Sequence, residues 1–267
     1  MEYSIIVSSK DLAGINIKKQ LLELFDFENK DNYYQFENIR LYEVEKESIY
    51  CENIDVKGDI IIFATKHQSS TNKHSLSVHF PGNWGKADFG GNEKTLNIAP
   101  SSLLKEMFIE LNKQSKEFDG EITLEATHHG PTVNKPIMFI EIGSDKEQWE
   151  NESYGKIIAK TIMNVLSKNV KEYESLIALG GGHYPSEFNK ILLKTELAIG
   201  NICPKYALEN LDENLLKQAI KKNVEEIKGI LVDWKGLGPY KEKVKDLAEG
   251  LGIPIIKVRN VLKFINK

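Results

Sequence analysis

The chain has 267 residues, 41% of them hydrophobic, a formal net charge of −4 and two cysteines. That is enough apolar material for a sizeable core in one large domain or two closely packed lobes. Two cysteines exclude a disulfide framework, the longest apolar runs fall far short of a membrane span, and the negative charge argues against a protein coated uniformly in nucleic acid.

The chain enters directly on YSIIVSS with no basic leader before a long apolar run, so a cytoplasmic location is expected. Tyr3 to Ser8 reads as a strand and Asp11 to Leu24 as a helix, with Ser9 available as its cap. Tyr33 to Tyr42 is a strand-like run of aromatic and branched residues, followed by an acidic segment from Glu43 to Glu52. Asp59 to Thr65 is apolar without alternation through Ile60, Ile61, Ile62, Phe63 and Ala64, the pattern of a strand buried on both faces of a helix-covered sheet.

From Lys66 to Gly91 the rhythm breaks. This interval holds three histidines and several glycines, and only Ser75 to Phe80 alternates like a strand. Phe80, Trp84 and Phe89 would pack it as an irregular binding rim rather than a loose loop. After Pro100, Ser101 or Ser102 can cap a helix whose apolar stripe is Leu103, Leu104, Met107, Phe108 and Leu111. Glu121 to Thr127 alternates as a strand and leads into His128, His129, Gly130 and Pro131. Ile137 to Ile142 is another buried strand, Glu152 to Val170 a helix, and Leu176 to Leu179 a strand that ends on Gly180, Gly181, Gly182, His183 and Tyr184. A helix from Leu215 to Val224, a strand from Ile230 to Trp234, a helix from Val244 to Leu251 and a strand from Ile253 to Val258 complete the chain. This order specifies an α/β fold with a mixed, largely parallel sheet covered by helices, expected as one domain over 1–267 with an irregular rim near 66–94.

All six histidines fall before residue 184, at His67, His74, His79, His128, His129 and His183. Imidazoles bind zinc or exchange protons near neutral pH, and Gly-Pro after a strand lets loop backbone approach a ligand. Neighbouring histidines on a regular strand face opposite ways, so His128 and His129 converge only if the ladder breaks before Gly130. His183 and His67 each follow a strand and are placed with them, because sites in open α/β sheets gather beyond carboxyl ends. Glycines at Gly130, Gly181 and Gly182 can bring backbone N–H groups to a carbonyl oxygen or phosphate, although the spacing is not that of a nucleotide-binding loop. Charge is uneven: residues 1–65 carry seven Lys/Arg against thirteen Asp/Glu, and 235–267 carry eight against three. The basic end can form part of a local RNA-facing surface.

SVHFPGN at Ser77 to Asn83, EATHHGP at Glu125 to Pro131, EIGS at Glu141 to Ser144 and GGGHYP at Gly180 to Pro185 together resemble the archaeal and plant type of D-aminoacyl-tRNA deacylase. The resemblance implies an α/β fold related in outline to phosphorylase and peptidyl-tRNA hydrolase proteins, zinc dependence, and hydrolysis of the ester of D-aminoacyl-tRNA in chiral proofreading. On that reading His128, His129, His183 and His67 are the candidate zinc ligands, and Glu125 a ligand, anchor or base. Gly130, Gly181 and Gly182 are candidate oxyanion donors. His74, His79, Asn83, Trp84, Lys135 and Tyr184 are expected to contact the substrate, with Phe80, Phe89 and Tyr154 as further shape-setting groups. The expected partner is the acceptor end of aminoacyl-tRNA, met by Lys66, Lys73, Lys86, Lys135 and the 235–267 region. No membrane and no obligate protein partner are expected. A small-molecule phosphorylase or amidohydrolase, and a non-catalytic RNA-binding protein, are the alternatives.

Overall fold

A computed structural model describes residues 1–69 and 73–265. Residues 70–72 of the expected rim and 266–267 of the basic end lie outside the described residues. The strands are β1 (Tyr3–Ser8), β2 (Glu28–Asn29), β3 (Tyr34–Phe36), β4 (Ile39–Val44), β5 (Ile60–Gln68), β6 (Ser75–His79), β7 (Gly82–Asn83), β8 (Thr95–Leu96), β9 (Glu121–Leu124), β10 (Ile137–Ser144), β11 (Glu174–Leu179), β12 (Leu197–Cys203), β13 (Ile227–Val232) and β14 (Ile255–Lys257). The helices are α1 (Leu12–Leu24), α2 (Ser101–Gln114), α3 (Lys146–Trp149), α4 (Glu152–Leu166), α5 (Ser186–Lys194), α6 (Glu213–Lys221), α7 (Lys241–Gly250) and α8 (Val258–Ile265).

Eight strands form one sheet in the order β2-β3-β4-β1-β5-β10-β6-β9, parallel at its centre and antiparallel at β2/β3, β3/β4 and β10/β6. Four parallel strands make a second sheet, β12-β11-β13-β14, and β7 and β8 pair as a short ribbon. This is the mixed, largely parallel α/β architecture expected. Helices α1, α2 and α4 cover one face of the large sheet through Ile5, Ile62, Val78 and Ile140, and the same core runs on to Leu176, Ile199 and Leu231 of the second sheet. The helix α2 packs against both sheets, touching β6, β9 and β12. The opposite face of the large sheet is closed by Cys51, Val56 and Val133 over Ile6, Phe63 and Phe139, the last two stacked at 4.9 Å.

Several element ends differ from the sequence expectation, some through a local turn or cap and some through a distant hydrogen-bond partner. Asp11, not Ser9, caps α1: its Oδ1 accepts from Ala13 N at 2.9 Å and Gly14 N at 3.1 Å, while Oδ2 takes Lys66 N at 2.8 Å and the Thr65 hydroxyl. Neither Ser101 nor Ser102 caps α2. Their amides donate to the Glu225 carboxylate at 3.0 and 2.8 Å, an anion brought to a helix N-terminus from 123 residues away. The Tyr33 to Tyr42 run is two strands joined by a turn with Glu37 at φ 49°. The final strand stops at Lys257 because Val258 begins α8, which packs on α5. Strand β5 continues through Gln68, so His67 sits on the ladder instead of following it.

Strand β9 ends at Leu124 rather than Thr127, because the backbone then leaves the large sheet for the second. Glu125 N still reaches Val78 O at 3.1 Å, but Ala126 N donates to His183 O at 2.8 Å and Thr127 N to Ile202 O at 3.0 Å. Ile202 N returns a bond to Thr127 Oγ1 at 2.9 Å, and Trp84 Nε1 donates to Ile202 O at 3.1 Å. The histidine segment is thereby seated between the two sheets.

Candidate metal centre

Three strands of the large sheet present the first half of the site. In register, Phe63, Thr65 and His67 of β5 stand beside Phe139, Glu141 and Gly143 of β10, and these beside His79, Ser77 and Ser75 of β6. The period-2 alternation puts all of them on the face away from α1, α2 and α4. Glu141 therefore rises between His67 and His79, with Oε2 3.5 Å from His67 Nδ1 and 3.5 Å from His79 Nε2. The His79 ring lies on Phe139 at 5.2 Å. Gly143 gives the His67 ring its room, since a Cβ there would come within 2.8 Å of His67 Cδ2.

The second half comes from the segment between the sheets. His129 takes φ 45°, an uncommon conformation for a residue with a side chain, and so turns back instead of continuing an alternation. The result is that His128 and His129 have ring centres only 4.3 Å apart, with His79 at 4.4 and 4.9 Å from them. Gly130 must be glycine: a Cβ would meet Gly90 C and Gly91 N at 2.4 Å. Beyond β11, His183 brings Nε2 to Glu125 Oε2 at 2.8 Å and Nδ1 to the Tyr206 hydroxyl at 3.2 Å, and His67 Nε2 lies 2.8 Å from the Tyr184 hydroxyl. His67 Nδ1 is 3.2 Å from Glu125 Oε1.

Glu125 and Glu141 are 1% and 3% exposed, and among the described residues neither is paired with a lysine or arginine. Burial alone would push both carboxyls up. The hydrogen bond from His183 and the charges of His67 and His79 hold Glu125 below its usual range, and hydrogen bonds from His67 and His79 do the same for Glu141. For His67, burial acts downward, but the Glu141 hydrogen bond and the two carboxylates overcome it and raise the ring to about 9. Burial and the neighbouring imidazoles depress His128 well below the usual histidine range and His129 to about 4. These two rings are neutral at physiological pH. Nδ1 of His128 faces Ala126 O at 2.8 Å and Nδ1 of His129 faces Gly130 O at 2.5 Å, so each donates there and leaves its Nε2 lone pair free.

Those lone pairs fit a cation. His79, whose Nε2 meets only the Glu141 carboxylate at 3.5 Å, and Oε1 of Glu125, which meets only His67 Nδ1 at 3.2 Å, are buried without a partner in good hydrogen-bond geometry, an arrangement costing about 1–3 kcal/mol for each group left so. Three donor groups have all their ligand atoms within 4.8 Å of one another: His79, His128 and His129; Glu125, His128 and His183; and His67, Glu125 and Glu141. Imidazole with carboxylate is a donor set for a divalent transition metal.

The centre opens into a cleft of about 1050 Å³ that is also lined by Lys66, Asn83, Trp84, Lys86, Phe89, Tyr184, Tyr206 and Asn210. Asn83 Nδ2 ties the rim by donating to Gly90 O and Asn92 O, and Phe89 stands 66% exposed at the lip. Of the residues singled out in the sequence, His67, His128, His129, His183, Asn83, Trp84 and Tyr184 line this cleft, with Glu125 and His79 buried among the histidines behind it. Others are placed elsewhere. His74 lies outside the cleft lining, with Nδ1 3.2 Å from the Tyr154 hydroxyl, and Lys135 spends its ammonium on Val56 O and Gly58 O. Gly181 and Gly182 line a separate recess of about 100 Å³ beside Asp233, and the Gly130 N–H already donates to Phe89 O at 2.9 Å. Glu141 and Tyr206 were not singled out as site residues in the sequence. A lone carboxylate inside the otherwise apolar run from Ile137 to Ile142 was the available signal for the first; none marked the second.

A sequence profile described as D-aminoacyl-tRNA deacylase matches residues 54–256. The D-aminoacyl-tRNA deacylase of Pyrococcus furiosus is 36% identical, covering 95% of this chain and 99% of its own length. That of Thermococcus onnurineus is 37% identical over 95% and 98%. The crystal structure of a conserved protein of unknown function superposes with a TM-score of 0.92 at 30% identity, over 98% of this chain and 97% of that one.

Proposed function

The chain belongs to the D-aminoacyl-tRNA deacylase family, and from that membership we propose that it hydrolyses the ester joining a D-amino acid to the terminal ribose of tRNA, releasing both in chiral proofreading. The observation that carries this reading is the buried histidine and carboxylate centre at the foot of an open cleft, inside the segment the family profile matches. The cofactor we assign is zinc, drawn from His79, His128, His129, His183, His67, Glu125 and Glu141 as donors; when bound it supplies Lewis acidity toward water and the ester carbonyl.

The side chains supply the rest. His128 and His129 are fixed in one tautomer by Ala126 O and Gly130 O and stay neutral, which keeps their Nε2 atoms available as donors. Glu125, ionised and buried, orients His183, and the line Glu125–His183–Tyr206 leads from the interior to the cleft. A proton lost by the attacking water can pass to the Tyr206 oxygen as the Tyr206 hydroxyl hands its own to His183 Nδ1, leaving an imidazolium held by the Glu125 carboxylate. The C–O bond that breaks leaves its electron pair on the ribose oxygen, and the Tyr184 hydroxyl, backed by His67 Nε2, faces the cleft where that oxygen can be protonated. Trp84, Phe89 and Tyr184 shape the wall around the amino-acid α-carbon, so discrimination between enantiomers comes from which one presents its carbonyl to the activated water. The 267 residues act as one domain with 66–94 as rim, a reading supported by the core that continues across both sheets. Among the described residues no helix is long and apolar enough to cross a membrane. The cytoplasm is where the proposed substrate would be met.

Release of amino acid from matched D- and L-aminoacyl-tRNA, measured before metal removal, after it and after zinc is restored, tests the assignment. Zinc-restorable hydrolysis favouring the D ester is expected. Equal rates on both enantiomers overturn the proofreading reading, and full activity after chelation overturns the metal assignment.

A further inference from the structure

The second sheet ends four parallel strands on one side: Cys203 of β12, Leu179 of β11, Val232 of β13 and Lys257 of β14, in sheet order. The first two of these edges already belong to the centre, through Tyr206 and His183. The next strand, β13, runs directly into Trp234, whose indole is surrounded by three ammonium groups: Lys257 Nζ at 4.2 Å, Lys245 Nζ at 5.6 Å and Lys241 Nζ at 6.0 Å from the ring centre. Lys245 is paired with Glu242 at 2.8 Å and also feels the charges of Glu249 and Asp246, so the uncompensated charge lies on Lys241 and Lys257. Among the described residues no carboxylate lies within ion-pair distance of Lys241 or Lys257. Three cations gathered around one partly exposed ring repel each other, and an anion from outside the chain relieves that repulsion. None of this cluster is used by the hydrolytic centre.

Resting on the deacylase reading above, we propose that Trp234, Lys241, Lys245 and Lys257 form the docking platform for the phosphate backbone of the tRNA acceptor strand whose 3′ end lies in the cleft. Neighbouring strands are about 4.8 Å apart, so the end of β14 is roughly 10 Å along the sheet from the end of β11, where the His183 loop starts. An amino-acid ester or a lone phosphate is too short to engage both places, whereas a polynucleotide entering the cleft by its end continues past the platform. An aromatic face ringed by lysines combines the two contacts an RNA strand offers, stacking and phosphate attraction. The charge distribution agrees: the excess of basic residues is in 235–267, and residues 1–65 are acidic.

The test is binding of uncharged tRNA by the full chain between 50 and 200 mM salt, comparing wild type with the triple variant Lys241→Gln, Lys245→Gln, Lys257→Gln. Loss of three phosphate contacts should weaken binding at least about tenfold at low salt and reduce the slope of log K against log salt by about 2–3. Hydrolysis of a minimal ester, D-aminoacyl-adenosine, should be unchanged, and the loss on D-aminoacyl-tRNA should fall on KM rather than kcat. A companion variant, Trp234→Leu, should weaken tRNA binding while Trp234→Phe retains it. Wild-type affinity and salt slope in the triple variant overturn the proposal. So does a triple variant that keeps tRNA binding but no longer binds phosphatidylserine vesicles, since the surface then serves a lipid. If the wild type binds tRNA through these lysines yet fails to hydrolyse D-aminoacyl-tRNA, the docking surface stands and the deacylase reading falls.

Discussion

Within the centre, Glu141 has one carboxylate oxygen at the same distance, 3.5 Å, from a nitrogen of His67 and a nitrogen of His79, and so fixes two rings whichever of them holds the metal. Groups in that position usually change metal affinity or activity by about 10–100-fold when altered. Glu141→Gln should therefore weaken zinc binding by about that factor in a chelator-buffered titration, with the far-ultraviolet circular dichroism unchanged; unaltered zinc affinity would rule out the role. Two histidines that look alike in the sequence should behave differently. His79 is buried against Phe139 beside Glu141 and the paired rings of His128 and His129, whereas His74 is tied to Tyr154 outside the cleft lining. Single-turnover rates should fall at least about tenfold in His79→Gln and stay within about twofold in His74→Gln. Equal losses would remove His79 from the donor set. The sequence separates these two poorly, because what distinguishes them is the strand register that sets His79 beside Glu141.

At the level of elements, Lys105 of α2 is 1% exposed and donates to three carbonyls, Leu192 O at 2.6 Å, Thr195 O at 2.7 Å and Leu197 O at 3.0 Å. It closes the end of α5 and the start of β12 onto α2. Lys105→Met leaves those oxygens without their donor and should cost about 2–4 kcal/mol in a urea denaturation. Burial also lowers its pKa from 10.5 to about 8. Between those values the unfolded chain holds a proton the native state has released, so this group makes stability rise with pH over that interval. The difference in stability between wild type and Lys105→Met should accordingly grow from pH 8 to pH 10.5; a flat difference would mean the ammonium stays charged in the fold. The same elements show what was legible beforehand. Helix stripes such as Leu103, Leu104, Met107, Phe108 and Leu111, and continuous runs such as Ile60 to Ala64, are local and could be read directly. Where elements stop depends on partners far away in the chain, Glu225 for α2 and His183 and Ile202 for the segment after β9, and no local pattern carries that. The histidines at strand ends were visible for the opposite reason, being rare residues beside Gly130 and Gly182. Glu141 was visible only as part of the EIGS run, with nothing local to tie it to the histidines.

Across the whole molecule, the donor side chains come from both sheets: His67, His79 and Glu141 from the large one, His183 from the loop after β11, and Glu125, His128 and His129 from the segment between. A metal held by a set that draws on both, such as Glu125, His128 and His183, favours only the state in which the sheets are together. At a hundredfold excess over its dissociation constant such a ligand adds about 2.7 kcal/mol. Zinc added to the chelator-stripped protein should raise the unfolding midpoint in one transition, seen at the same temperature by tryptophan fluorescence and by far-ultraviolet circular dichroism. An unmoved midpoint would count against zinc, and two separated transitions against a shared centre. The seating of the histidine segment has a second effect. Strand β12 is the last of its sheet, where a bare row of amides and carbonyls would template the addition of a strand from another molecule. Here Ile202 N is taken by Thr127 Oγ1, and Ile202 O receives both Thr127 N and Trp84 Nε1. The loop that aims the histidines is also what blunts this edge, so a substitution that loosens it exposes the chain to aggregation as well as to loss of chemistry.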